Sequence, residues 1–290
     1  MIFLRERDLP DPWREDIHSQ MIQINPVIYA KLETSNPTGS VKDRLIQHII
    51  KKAMLKNQIT SKTVLVEATS GNTGISLSAM GAALGLKVKI VMPENMSEER
   101  RRMMKAFGAD IINVGHSDFA AAIEKRDDLM RSSNDCWSPM QFENVENVEC
   151  HRIHTAPEII DQLNGRLFSA FVSGAGTGGT IMGVRQAILE RSLQTQMVLV
   201  RPAEEAKLHG IQGINDGANF LAKPDLLDRV IQVSTLEAVE RAKQFAASRG
   251  VLIGISAGAN LCAAEKYFKV YKPPGVIVTM LCDRGERYLS

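Results

Sequence analysis

The stretch from Thr63 to Met92 restricts the possible folds of this chain more than any other. Thr63-Val64-Leu65-Val66-Glu67 is a short β-branched run typical of a buried strand, and Lys87 to Met92 reads as a second one. Between them, Ala68-Thr69-Ser70-Gly71-Asn72-Thr73-Gly74 forms a turn that opens a helix of small residues from about Ile75 to Leu84. The alternation continues with a helix over Ser97 to Phe107 capped by Ser97, a strand over Asp110 to Val114 and a helix over Asp118 to Arg131. After a loop carrying Gln141-Phe142, a helix is expected from about Thr155 to Leu163. Next come a strand over Ser169 to Val172, a helix over Ile181 to Glu190 and a strand over Met197 to Val200. A strand over Val230 to Val233, a helix over Leu236 to Ser248, a helix from Gly254 to about Tyr267 and a last strand over Val276 to Leu281 complete the series. A βαβα rhythm of this kind predicts an α/β fold with doubly wound parallel sheets, whose ligands lie at the carboxyl ends of the strands.

With 290 residues and 44% hydrophobic content, the chain can bury one large core or two moderate ones, and two lobes are expected. Lys and Arg total 35 against 33 Asp and Glu, a net charge of +2, with no run of like charge that suggests a nucleic-acid or membrane surface. Apolar stretches are interrupted well before membrane-spanning length and Met1 to Arg7 lacks an apolar signal core, so a cytoplasmic protein is expected. Cys136, Cys150, Cys262 and Cys282 form no C-x-x-C pair, which argues against a zinc site or a disulfide scaffold. Residues 1–26 read as a polar, irregular arm before a strand over Val27 to Leu32.

Three turns carry residues suited to chemistry. Asn36-Pro37-Thr38-Gly39-Ser40-Val41-Lys42-Asp43-Arg44 places Lys42 in the first turn of an amphipathic helix, with Ser40 as the expected cap and Asp43 three residues on. The positive end of a helix dipole disfavours a cation, so Lys42 is placed to lose its proton and react with a carbonyl, although most first-turn lysines are simply solvated. Thr69 to Gly74 offers backbone N–H groups, hydroxyls and an amide to a carboxylate. Ser173-Gly174-Ala175-Gly176-Thr177-Gly178-Gly179-Thr180 runs from a strand into a helix, a cradle for phosphate. Gly174, Gly176 and Gly179 also satisfy G-x-G-x-x-G, but the following strand ends in Arg201-Pro202 and not in the acidic residue that would hold the ribose of NAD. An NADP reader remains an alternative. His151 and His154 have a spacing open to metal ligation, yet without a third ligand they read as surface or capping residues.

A lysine able to form an imine, a phosphate cradle and a carboxylate-binding turn together match the needs of pyridoxal phosphate acting on an α-amino acid. The motifs N-P-T-G-S-V-K-D-R, E-A-T-S-G-N-T-G, Q-F, S-G-A-G-T-G-G-T, G-I-S-A-G-A and C-D-R-G-E-R-Y-L-S occur here in the order found in the cysteine synthase (O-acetylserine sulfhydrylase) and cystathionine β-synthase family. The chain resembles that family from Tyr29 to Ser290, and its last motif and P-E-N-M-S-E-E-R-R look most like the B-type cysteine synthases.

The resemblance implies the fold-type II architecture, similar to tryptophan synthase β, with pyridoxal 5'-phosphate in the cleft between two α/β domains. The smaller domain is expected over 35–140 and the larger over 1–34 with 141–290. By matching position, Lys42 forms the internal aldimine and then removes the substrate α-proton, and Asn72 holds the cofactor's 3-oxygen. Gly176, Thr177, Gly178, Gly179 and Thr180 hold the phosphate, while Thr69, Ser70, Gly71, Thr73 and Gln141 bind the substrate carboxylate. Ser256, Cys282 and Asp283 are the candidates for the pyridine nitrogen. The implied reaction converts an activated serine, O-acetylserine first, to L-cysteine with sulfide or thiosulfate through an aminoacrylate, in a homodimer. Another β-replacement or elimination on the same fold, or a non-catalytic partner protein, is the alternative. The family's I-G-N-T-P segment is replaced by Asp16 to Asn25, and Gln212 or Gly213 stands where a B-type arginine is expected. Arg152 replaces a common tyrosine; it is read as a surface residue, with recognition of a second substrate anion as the alternative.

Overall fold

The computed structural model describes residues 2–69, 71–95, 97–116, 119–203 and 221–289. Contacts divide the chain into two compact units, one of Met1–Ile17 with Asn36–Asn144 and the other of His18–Ser35 with Val145–Leu289.

The first unit is built on a four-stranded sheet of β3 (Val64–Ala68), β4 (Lys87–Pro93), β5 (Asp110–Val114) and β6 (Cys136–Trp137), in the order β5-β4-β3-β6 with every pair parallel. Its helices are α1 (Lys42–Leu55), α2 (Asn72–Leu84), α3 (Glu98–Ala106) and α4 (Phe119–Ser132). One apolar layer joins Ile46, Ile50 and Met54 of α1 to Ile75 and Met80 of α2 and to Leu65, Val88 and Ile90 of the sheet. Ala122 of α4 covers the opposite sheet face, where Val66, Ala68 and Val91 point. Both faces being covered explains why β3 and β4 are near-continuous apolar runs and not alternating ones. The N-terminal arm is more ordered than its composition suggests, because Leu9, Trp13 and Ile17 are buried in the first of these layers.

The second unit carries a six-stranded sheet in the order β1-β2-β10-β7-β8-β9: β1 (Met21–Gln23), β2 (Ile28–Leu32), β10 (Val276–Leu281), β7 (Phe168–Gly174), β8 (Gln196–Pro202) and β9 (Arg229–Val233). All pairs are parallel except the edge pair, where Ile22 opposes Ala30. Strand β1 lies in the segment expected to be irregular; three residues at a sheet edge are too short a run to reveal a period. The helices here are α5 (Glu146–Cys150), α6 (Ala156–Gln162), α7 (Gly179–Glu190), α8 (Thr235–Arg249) and α9 (Ile255–Tyr271). Capping is clearest at α8, where Ser234 and Glu237 form a reciprocal box.

The helix expected from Thr155 begins at Glu146 and runs through a π-helical turn over His151–Thr155 into α6. Val145 and Glu146 begin it without a Ser, Thr, Asp or Asn cap, so its start gives no sequence signal.

Candidate active site

In the first unit, Lys42 is the first residue of α1 and is half-buried between the buried Val41 and Asp43. The turn before it is fixed from both sides. The N–H of Gly39 donates to the carbonyl of Asn36 at 2.8 Å, and the Asn36 amide donates back to the Ser40 carbonyl at 2.9 Å. Val41 occupies the residue before the helix and makes no side-chain cap bond, while the Ser40 hydroxyl accepts the Lys42 N–H at 3.3 Å and the Ser40 N–H donates to Asp43 at 3.5 Å, so Ser40 and Asp43 pair as expected from the sequence one residue further out. The buried carboxylate of Asp43 organises the turn. It accepts the Thr38 N–H at 2.8 Å, the Ser76 hydroxyl at 2.5 Å and the hydroxyl of Thr38. Burial pushes the Asp43 carboxyl above the usual range, and the Ser76 and Thr38 donors pull it back. Ser76 also donates to the carbonyl of Asn72, so the turns presenting Lys42 and Asn72 are tied through one hydroxyl.

The carboxylate-binding residues anticipated in this unit do come together. Asn72 is the first residue of α2, and Gly71 precedes it with its N–H donating to the Thr69 hydroxyl at 3.2 Å. The Thr73 hydroxyl donates to Gln141 Oε1 at 2.5 Å, and Gln141 Nε2 donates to the Ala68 carbonyl at 3.3 Å. Thr69, Thr73 and Gln141 are all buried. Ser70 lies outside the described residues, as do Gln212 and Gly213.

In the second unit, the glycine-rich turn leads from β7 into α7. Gly178 has φ +89°, a left-handed conformation, and a Cβ there would fall 2.2 Å from the Ala222 nitrogen. At Gly176 a Cβ would meet nothing within 4 Å, so the backbone is bare on a side open to a ligand. Thr177 is held by the Asn147 amide, which donates to its hydroxyl at 2.8 Å. The Thr180 hydroxyl lies 3.1 Å from His151 Nε2, and His151 Nδ1 lies 2.9 Å from the Thr155 hydroxyl. A bare glycine backbone, a 12-residue helix beginning at the turn and two anchored threonines fit the phosphate of pyridoxal phosphate.

His151 is therefore neither a surface nor a capping residue: it is buried, with both ring nitrogens bonded. The π turn that carries it is a feature frequent at functional sites, but it has no residue signature. Asn147 carries no signal in the sequence, because its contact to Thr177 spans 30 residues of chain.

The three candidates for the pyridine nitrogen share one edge of this unit. The N–H of Gly254 donates to the Asp283 carbonyl at 2.9 Å, and Ile253 bridges Arg284, which joins the start of α9, where Ser256 is half-buried, to the segment following β10. Cys282 Sγ accepts the Asn260 amide at 3.4 Å. Asp283 is buried and accepts the Tyr288 hydroxyl at 2.6 Å. Arg152, in contrast, is bound by Glu149 at 2.6 Å and Glu190 at 3.0 Å, whose hydrogen bonds hold its pKa above the ordinary arginine value. Its guanidinium is thus already matched by carboxylates of its own unit.

Comparison with known proteins agrees with this geometry. The family model for pyridoxal-phosphate dependent enzymes matches residues 15–283. Cysteine synthase B of Campylobacter jejuni is 42% identical over 285 residues, covering 94% of this chain and 93% of that protein. Among solved structures, a cysteine synthase from Entamoeba histolytica superposes with a TM-score of 0.88 at 32% identity, covering 97% of this chain and 90% of that one. The O-acetylserine dependent cystathionine beta-synthase of Helicobacter pylori superposes at 0.85 and 33% identity, covering 100% of this chain and 98% of that one. Matched by that family model over residues 15–283 and by a cysteine synthase at 42% identity over 94% of its own length, the chain belongs to the pyridoxal-phosphate dependent enzymes.

Proposed function

We propose that the chain makes L-cysteine by β-replacement on an activated L-serine, O-acetyl-L-serine first, with sulfide or thiosulfate as sulfur donor. The observation that carries this reading is the pairing of Lys42 at a helix start with a neighbouring turn in which Thr69, Gly71, Thr73 and Gln141 converge. Its product is drawn from the similarity to cysteine synthase B, and O-acetylserine from the similarity to the O-acetylserine dependent enzyme of Helicobacter pylori. Pyridoxal phosphate, when bound, supplies an electron sink that stabilises negative charge on the substrate Cα.

With the cofactor bound, the Lys42 amine would hold its aldehyde; freed by the substrate amine, it would take the Cα proton as the Cβ–O bond to the leaving acetate breaks, and would give a proton back to Cα once sulfur has added at Cβ, so that L-cysteine leaves with its Cα–H restored. The Asp43 carboxylate keeps the preceding turn rigid, so the amine returns to one position after each turnover. Asn72 orients the ring through its 3-oxygen. Thr69, Ser70, Gly71, Thr73 and Gln141 hold the substrate carboxylate with neutral donors, leaving Cα–H aligned toward Lys42. In the second unit, Gly176, Thr177, Gly178, Gly179 and Thr180 hold the phosphate by backbone N–H and hydroxyl groups. Ser256, Cys282 and Asp283 form the edge assigned to the pyridine nitrogen, where the Cys282 thiol or the Ser256 hydroxyl acts as a neutral partner.

Among the described residues no helix is long and apolar enough to cross a membrane, and all four cysteines are free. Both support a cytoplasmic enzyme in a reducing compartment, and a homodimer is assigned with it, to be checked by light scattering. Assays of the cofactor-loaded protein with O-acetylserine, O-phosphoserine or serine, each with sulfide, thiosulfate or homocysteine, test the substrate assignment. Cysteine released fastest from O-acetylserine and sulfide is the expected result. Faster cystathionine formation from homocysteine would transfer the assignment to the reaction named for the Helicobacter pylori structure.

A further inference from the structure

Glu67, in the last turn of strand β3 before the carboxylate-binding turn, is completely buried and has no part in the chemistry assigned to Lys42. Its two oxygens do different work. Oε1 accepts the N–H of Ala68 at 2.8 Å, and Oε2 accepts the N–H of Gln141 at 3.1 Å. The guanidinium of Arg126, on α4, lies 3.6 Å from Oε1, and both side chains have 0% exposure. Arg126 reaches outward to Asp127 at 2.8 Å and Glu143 at 3.1 Å, which are partly exposed. No other charged side chain is recorded against Glu67 among the described residues; Asp127 on α4 and Glu143 on the loop after β6 face it only through Arg126.

The two backbone groups clamped by Glu67 belong to the residues that shape the carboxylate site. Ala68 leads directly into Thr69, and its carbonyl accepts from Gln141 Nε2. Gln141 also receives the Thr73 hydroxyl, so its amide is held in one orientation by contacts at both ends. A buried ion pair is a weak source of stability compared with apolar packing of equal volume. Its consequence here is geometric: strand end, loop and amide are pinned to one carboxylate.

We propose, on the basis of the function assigned above, that Glu67 is a positioning residue for recognition of the substrate carboxylate, holding Gln141 and the Thr69 turn in register, with Arg126 favouring its ionised form. Both oxygens accept, which the carboxylate does most strongly; protonation weakens acceptance at one of them and sets an O–H beside Arg126 and the two N–H donors. Burial pushes the Glu67 carboxyl up to about 7, against the pull of Arg126 and the two N–H donors.

The test compares wild type, Glu67→Gln, Gln141→Ala and the double variant, each loaded with pyridoxal phosphate, by absorbance titration with L-alanine and with L-alaninamide. Neither ligand has a leaving group at Cβ, and only the first has a carboxylate. Wild type should prefer L-alanine, and Glu67→Gln should lose about tenfold of that preference, the size of one charge-assisted hydrogen bond, with cofactor absorbance per chain unchanged. The double variant should be no worse than the worse single one. The wild-type preference should fall as pH drops through about 7, and the profile should be flat in Glu67→Gln. If Glu67→Gln does not fold, Arg126→Met carries the same test, because loss of the cation moves that limb to higher pH. A wild-type acid-to-amide ratio in Glu67→Gln, additive losses in the double variant, or an unmoved limb in Arg126→Met would each overturn the proposal. Wild type that loads no cofactor would instead overturn the function from which it starts.

Discussion

Lys42 and Asp43 are neighbours with opposite duties: one side chain is left half-buried for chemistry and the other is sealed in to fix the backbone around it. Replacement Lys42→Ala should abolish the borohydride-sensitive absorbance of the loaded protein and lower β-replacement by about 10² to 10⁴-fold, the range for loss of a positioned acid–base group. Its urea midpoint should stay near wild type, since Lys42 sits at a helix start. Asp43→Ala should behave in the opposite sense, losing about 3 kcal/mol in urea unfolding because the buried N–H and hydroxyl of Thr38 lose their acceptor. Asp43→Asn should recover most of that, because the hydroxyls of Thr38 and Ser76 can turn to accept while the amide oxygen takes the Thr38 N–H. Asp43 was visible in the sequence only as a partner for Ser40. Its contact with Ser76 joins two helices across 33 residues, which no local spacing encodes.

Single elements were legible in proportion to their length and burial. Strands β3, β4, β7, β8 and β10 are parallel and largely buried, so each appears as an apolar, β-branched run ending in a turn. Strands β1 and β6, of three and two residues, carry no period, and the helix beginning at Glu146 carries no cap. The cradle before α7 was readable from its glycines, but their individual duties were not. Gly178→Ala should destabilise the fold by about 1 to 3 kcal/mol, through its left-handed φ and the contact with Ala222. Gly176→Ala should change stability by less than about 0.5 kcal/mol, since a methyl there touches no protein atom, yet weaken cofactor binding by filling the open side. Calorimetric unfolding of the cofactor-free proteins beside fluorescence titration with pyridoxal phosphate separates the two. Equal losses of affinity with equal losses of stability would show that Gly176 serves only the backbone.

At the scale of the whole chain, the arrangement of motifs along the sequence was legible because each lies in a turn at a strand end or a helix start, whereas the buried charges beneath them were not. Glu67 reads in sequence as the end of a strand, and Arg126 as one of several charges on an amphipathic helix, yet both are fully buried. Their burial has a consequence for stability. Folding raises the Glu67 carboxyl from 4.5 to about 7, so the folded chain binds the proton more tightly and stability falls as pH rises across that window. Asp43, raised for the same reason, acts in the same direction. Urea unfolding should show wild type losing about 3 kcal/mol more than Glu67→Gln between about pH 5 and about pH 8. Parallel pH dependences would mean that Glu67 is ionised throughout.

The amine of Lys42 as the point of cofactor attachment is the claim on which the enzymatic reading rests. It is tested most directly by incubating the protein with pyridoxal phosphate, reducing with borohydride, and sequencing the labelled peptide by mass spectrometry. A phosphopyridoxyl group on Lys42 alone is the predicted result; a label on other lysines with Lys42 unmodified would contradict it.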